Sequence, residues 1–150
     1  MCVELMKYHG SGDDYLIYDP VKNQMNLNAA QVKLIFNRSL VSGSEGILVG
    51  PIYEGDQCKV HMFRQRGTKK KTRNGYRIFL TYLKDQGYEW QKSEKVTLVD
   101  AETMKEENMD MYHKEVQVMQ ASLGEEEEQA RSVGKVMLFD SFVDNLKEYE

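Results

Sequence analysis

The stretch NGYRIFLTYLKDQG, residues 74–87, constrains the fold more than any other part of the chain. Ile78, Phe79, Tyr82 and Leu83 recur at one-turn spacing and so share one face of a helix. A helix with that face must bury it against another element. Asn74 stands where an N-cap belongs, since its short side chain can accept from a free backbone N–H. Gly87 follows as a residue that can take positive φ and end the helix. The spacing predicts a helix from about Gly75 to Gln86.

The rest of the chain supplies mostly strands to cover it. Candidates are Val3–Tyr8, Tyr15–Tyr18, Ile47–Val49, Lys59–Phe63, Lys95–Val99, Glu115–Gln120 and Lys135–Phe139, each short and bounded by Gly, Asp, Asn or Pro. Val96 and Leu98, and again Val116 and Val118, alternate with polar neighbours as half-buried strands do. A second helix starts at Asn28. Gln31 lies three residues on, which makes a capping box, and Val32, Ile35, Phe36 and Leu40 then fall on one face, with Gly43 beyond its end. Antiparallel strands with two helices give an α+β fold. A chain of 150 residues suits one domain, here 1–150, and can bury a core without covalent staples.

Several function classes are set aside early. No 18-residue apolar run exists and MCVELMKYHG lacks a signal-peptide core, so no membrane partner and a cytoplasmic location are expected. Cys2 and Cys58 read as two reduced thiols. There is no CxxC pair, and His9, His61 and His113 lie far apart in sequence, so no metal is expected. The acidic run Glu125–Glu128 reads as a solvated connection or a helix start.

Charge is the anomaly. The segment RQRGTKKKTRNGYR, residues 64–77, carries seven positive charges and no acid, in a chain of net charge −4. Setting those seven aside leaves 13 basic against 24 acidic residues. A solvated loop would account for Lys69, Lys70 and Lys71 alone. With Arg64, Arg66, Arg73 and Arg77 beside a helix start, the segment forms a donor-rich positive surface suited to an anion. Nucleic acid is one such partner. The acidic pI of about 5.5, with Tyr76 the lone aromatic in the segment, favours an acidic protein surface or a nucleoprotein complex instead. Nine methionines read first as core filler and second as an adaptable partner surface.

Three motifs in order also resemble a known family. KYHGSGDDYLIYD resembles the first block of diaminopimelate epimerases, approximately K-x-H-G-x-G-N-D-[FY]. FNRSLVSGSEGILVGP resembles their second block. MFRQRGTKKKTRNGYRIFLTYLKDQGY resembles their third, in which [CS]-G-N-G-x-R precedes a helix. The resemblance covers about residues 5–90 and leaves 91–150 divergent. It implies a fold like one domain of that enzyme, with antiparallel strands wrapped around a central helix. It also implies cofactor-free isomerase chemistry in lysine biosynthesis, in which one cysteine from each of two domains works on the substrate α-carbon.

The carry-over departs at the chemistry. His9, Gly10, Gly12, Asn74, Gly75 and Arg77 keep the pattern. Asp13 stands for a substrate-contacting Asn, and Arg64 for the Asn after Phe63. Thr72 holds the cysteine position and Arg73 the glycine that follows it. A thiol becomes a base after modest perturbation, whereas a threonine hydroxyl needs a base of its own. Residues 91–150 carry no second cysteine motif, and a homodimer or a second chain would have to supply the other wall. The expectation is therefore a non-catalytic binding protein, an inhibitor or adaptor, with no cofactor. Its contact residues would be Asp13, Arg64, Arg66, Lys69, Lys70, Lys71, Arg73, Asn74, Gly75 and Arg77. The competing reading is a cofactor-independent amino-acid epimerase.

Overall fold

The structure is a computed structural model that describes residues 2–10, 12–37, 44–64, 72–88, 96–107, 109 and 130–150, with Thr72 described through its backbone alone. In chain order the elements are β1 (Val3–Gly10), β2 (Asp13–Tyr18), α1 (Pro20–Asn23), α2 (Ala29–Phe36), β3 (Gly46–Glu54) and β4 (Gln57–Arg64). They continue with α3 (Thr72–Asp85), β5 (Val96–Asp100), β6 (Lys105–Glu107), β7 (Arg131–Leu138) and α4 (Asp140–Lys147). Among the described residues all seven strands join one sheet, in the order β6-β5-β4-β3-β2-β1-β7.

The sheet is mixed, which corrects the expectation of antiparallel strands throughout. β2 pairs β3 in parallel, and so does β4 with β5. The reason lies in the connections. α2 falls between β2 and β3, and α3 between β4 and β5. A strand that leaves through a helix returns to its starting end and pairs in parallel. The hairpin-linked pairs β1–β2 and β3–β4 are antiparallel.

Two cores form, one on each face. Tyr15 and Ile17 of β2 pack toward α3, while Leu16 and Tyr18 pack with Val32 and Ile35 of α2 and Val143 and Leu146 of α4. A strand buried on both sides reads as a continuous apolar run, as YLIY does. α3 is buried through Tyr76, Ile78, Phe79, Leu80, Tyr82 and Leu83, well beyond its four-residue stripe. It touches β1, β2, β3, β4, β5 and β7. The central helix of the sequence reading is therefore α3, and two further helices cover the opposite face.

Local signals explain the helix ends. At α2 the Asn28 side chain accepts from Gln31 N, and Gln31 Oε1 accepts from Asn28 N, both at 2.9 Å. Past α3, Gly87 takes φ +75°, with Gly87 N donating to Lys84 O and Tyr88 N to Leu83 O. These two bonds satisfy the last free carbonyls. The start of α3 differs from expectation. The helix begins by Thr72, so Asn74 lies inside its first turn and does not cap it. Its side chain is drawn off by partners outside the helix.

Two helices escaped the sequence reading. α1 is four residues long, too short for periodicity, although Asp19 followed by Pro20 at the first helical position was a legible start. α4 begins at the end of β7, with Phe139 as its N-cap residue and no side-chain cap bond. The strand expected at Glu115–Gln120, the acidic run Glu125–Glu128, Leu40 and Gly43 lie outside the described residues. Among the described residues no helix is long and apolar enough to cross a membrane.

One buried carboxylate ties the far end of α3 to the sheet. Asp19 Oδ1 accepts from Val21 N and Lys22 N, and Oδ2 accepts from Tyr82 and Tyr88 hydroxyls at 2.7 and 2.6 Å. Burial pushes the Tyr82 phenol far above its ordinary range, and its bond to Asp19 adds to the shift. Tyr82 is thus a neutral donor at any physiological pH. Asp19→Ala removes the cap of α1 and strands the buried Tyr82 hydroxyl and the half-buried Tyr88 hydroxyl. We expect a loss of about 3 kcal/mol in urea unfolding, against under about 1 kcal/mol for an exposed substitution such as Val21→Ala.

Candidate functional site

The packing of α3 brings its first turn against the tip of the β1–β2 hairpin. Gly10 pairs with Asp13 across that tip. Asn74 Nδ2 donates to Gly10 O at 2.8 Å and to Asp13 Oδ2 at 2.7 Å, while Asn74 Oδ1 accepts from Arg77 Nη2 at 3.2 Å. An amide group has two hydrogens to donate, and both are used. Asp13 and Arg77 are buried, at 4% and 9% exposure. Residues from the first and third motifs thus meet in one interior clasp.

Glycine serves here by leaving room. A Cβ on Gly75 would sit 2.3 Å from Met62 Cε and 3.4 Å from Tyr15 Cζ, so a bare backbone lets α3 lie against β4 and β2. A Cβ on Gly10 would stand 3.1 Å from Arg77 Nη2, which could not then keep its present place. Both glycines serve close packing.

Other charges at this end are internally matched. Arg64 Nη2 lies 3.1 Å from Asp100 Oδ2 and 3.5 Å from Glu102 Oε2. The parallel register Met62↔Asp100 sets the ends of β4 and β5 side by side and brings these groups together. His9 Nδ1 is 2.6 Å from Asp14 Oδ1, and Glu45 N donates to Asp14 O at 2.7 Å, linking the hairpin to the start of β3. Burial pushes the Tyr15 hydroxyl well up, and the nearby Asp13 and Glu45 carboxylates push it further, against the opposing pull of Arg64. Tyr15 is therefore no general base near neutral pH.

The sequence-predicted residues sort into three groups. Asp13, Asn74, Gly75 and Arg77 meet at the first turn of α3, the side chains of Asp13, Asn74 and Arg77 bonded within the protein, and Arg64 is engaged by Asp100 and Glu102 at the neighbouring strand ends. Arg73 is exposed on that turn. Arg66, Lys69, Lys70 and Lys71 lie outside the described residues, and the side chain of Thr72 likewise. The sequence reading missed Asp100 and Glu102 as partners of Arg64. They belong to the divergent part, and the strand register that places them carries no local signature.

Neither thiol is near. Cys2 precedes β1, so Gly10 lies about 26 Å away along an extended strand. Cys58 lies six residues before Arg64 on β4, about 20 Å from the site end, close to Tyr88 beyond the far end of α3. Chemically, this end of the molecule gathers amide and guanidinium donors already paired with internal acceptors, together with carboxylates, an exposed arginine and the positive end of a helix dipole. Removing the central amide should be felt in stability. Asn74→Ala deletes three hydrogen bonds, and we expect a loss of about 2 kcal/mol in urea unfolding with an unchanged m-value, whereas Arg73→Ala should stay within about 0.5 kcal/mol of wild type.

No protein-family model matches the chain. It does resemble individual curated proteins. Diaminopimelate epimerase 2 of Nostoc sp. is 37% identical over 87 residues, covering 57% of this chain and 30% of that protein. Diaminopimelate epimerases of Chromobacterium violaceum and Nitrosospira multiformis are each 32% identical, over 58% of this chain and 33% and 32% of theirs. The chain spans about a third of the length of the curated relatives it matches. These identities establish one relationship: over nearly three fifths of its length this chain is a distant homologue of diaminopimelate epimerase.

Proposed function

We propose that the chain acts by binding and not by catalysis, as an inhibitor or adaptor derived from one diaminopimelate epimerase domain. Its contact surface is the amino end of α3 with the basic segment 64–77, and its partner is an acidic surface of another protein. The observation that carries this reading is the absence of a thiol where the chemistry needs one. Thr72 holds the motif position, and Cys2 and Cys58 both lie some 20 Å or more from the site. A threonine hydroxyl, with its far higher pKa, would need a strong base beside it to take a proton from carbon.

Charge supports the partner class. Arg64 is engaged by Asp100 and Glu102, and Arg77 is buried against Asn74. The sequence adds five further cations in the eight residues 66–73: Arg66, Lys69, Lys70, Lys71 and Arg73. The α3 dipole adds positive potential at the same place. The chain as a whole is acidic, with a pI of about 5.5, which disfavours a general nucleic-acid binder. The homology itself favours the other reading, an epimerase completed by a second copy or a second chain. That reading needs a second wall and a base that the motifs do not supply.

Fluorescence anisotropy tests the proposal. Labelled polyglutamate should bind the wild-type protein in low salt more tightly than duplex DNA of equal charge. Reversing Lys69, Lys70, Lys71 and Arg73 to Glu should weaken it by roughly tenfold or more. Binding that survives the reversal rejects the segment as the contact. Tighter binding to DNA, with a steep salt slope, replaces the acidic protein by nucleic acid.

A further inference from the structure

Among the described residues β7 is the last strand of the sheet, paired on one side only, with β1. An edge strand turns half of its backbone N–H and C=O groups away from the sheet. The other edge, β6, is three residues long, whereas β7 has eight. Arg131, Ser132, Val133, Gly134 and Lys135 are all exposed. The pairing with β1 slips at Val133, and from Gly134 to Leu138 it runs unbroken. Gly134 is a second sign. Each of the other seven described glycines either takes positive φ or would set a Cβ 3.1 Å or less from a neighbour. A Cβ on Gly134 would meet nothing within 4 Å, and its φ is not positive. Neither the packing nor the bulge beside it demands glycine there. Glycine weakens a strand, and inside one it marks a place where another backbone comes close. The charge of this edge is one-sided, since RSVGKVML holds Arg131 and Lys135 and no acid. Lys135 lies 3.2 Å from Glu4, while Arg131 has no partner among the described residues.

We infer that β7 is a docking edge, which takes an extended acidic segment of another protein as an added strand of the sheet. Main-chain hydrogen bonds along Gly134–Leu138 hold the segment, and Arg131 receives one of its carboxylates. A second copy of this chain fits less well. Its β7 would set two cations against two with no acid in either strand, and its β6 is too short. Acids opposite Arg131 and Lys135 turn that repulsion into attraction. The bulge at Val133 and the lysine also deter indiscriminate edge-to-edge pairing. The acidic partner class rests on the binding reading above, but the surface is separate from residues 64–77.

The probe is a labelled peptide of alternating glutamate and valine, titrated into the wild-type chain at low salt and followed by fluorescence anisotropy and nitrogen-15 NMR. The backbone amide signals of Gly134–Leu138 should shift saturably. Arg131→Glu, an exposed substitution, should weaken binding roughly fivefold or more. N-methylation of alternate peptide residues separates an added strand from a loose ionic contact, because only one edge of such a strand bonds to the sheet. Methylating one alternate set should abolish binding, and methylating the other should leave it nearly intact. Two sets that act alike overturn the inference, and so do shifts confined to residues outside β7. A wild type that sediments as a dimer through β7 and takes no peptide overturns it as well, in favour of a second copy. Reversing Lys69, Lys70, Lys71 and Arg73 to Glu keeps the two surfaces apart. Peptide binding that survives the reversal belongs to β7, and peptide binding that it removes moves the contact to the basic segment and rejects β7. Failure of polyglutamate to bind through the basic segment, with the peptide still seated on β7, rejects that segment alone.

Discussion

Everything in this molecule depends on burying α3. Its sequence is apolar around most of its circumference, and Tyr76, Ile78, Phe79, Leu80, Tyr82 and Leu83 are all removed from water. One sheet face cannot accept so broad a surface unless many strands contribute, and β1, β2, β3, β4, β5 and β7 all do. The other features follow from that demand. The helix crosses from β4 to β5 and forces them parallel. Gly75 has no side chain because Met62 fills that space. Asp19 secures the far end by holding the hydroxyls of Tyr82 and Tyr88.

The same burial creates the candidate site. A helix pressed against a sheet delivers its first turn to whatever loop lies at that edge, here the β1–β2 hairpin tip. Asn74 then serves both elements at once, bonding to Gly10 and Asp13 on one side and to Arg77 on the other. Positive charge divides accordingly. Arg64 and Arg77 face inward to internal partners, and Arg73 remains exposed. Among the described cations of the basic segment, two therefore serve the interior and one lies at the surface.

What the sequence made legible was whatever depends on local chemistry. The capping box of Asn28 and Gln31 and the glycine stop at Gly87 needed a few adjacent residues, and both stand where they were read. Six of the seven strands of the sheet contain a stretch read as a strand, whereas β6, the three polar residues Lys105–Glu107, carries no apolar pattern and was not read. Asn74 misled because a cap residue and a tertiary clasp residue look alike in sequence, and the second role drew its side chain to Gly10 and Asp13. The parallel pairings depend on register between strands distant in sequence, and the Arg64–Asp100 contact joins residues 36 apart, which no short window records. α4 was missed because it is one short helix placed directly against the end of a strand.

The homology gives this chain a likeness to one part of an enzyme, and the residues at its core decide how much of the chemistry came with it. Threonine at position 72, thiols at the opposite end of the sheet and a carboxylate against the α3 terminus all speak for a surface that binds. The direct test is exchange at the α-carbon of LL-diaminopimelate in deuterated water, watched by proton NMR with the purified wild type and with Thr72→Cys. The binding account predicts that the α-proton signal persists with both proteins. Loss of that signal at an enzyme-like rate with the wild type would contradict it.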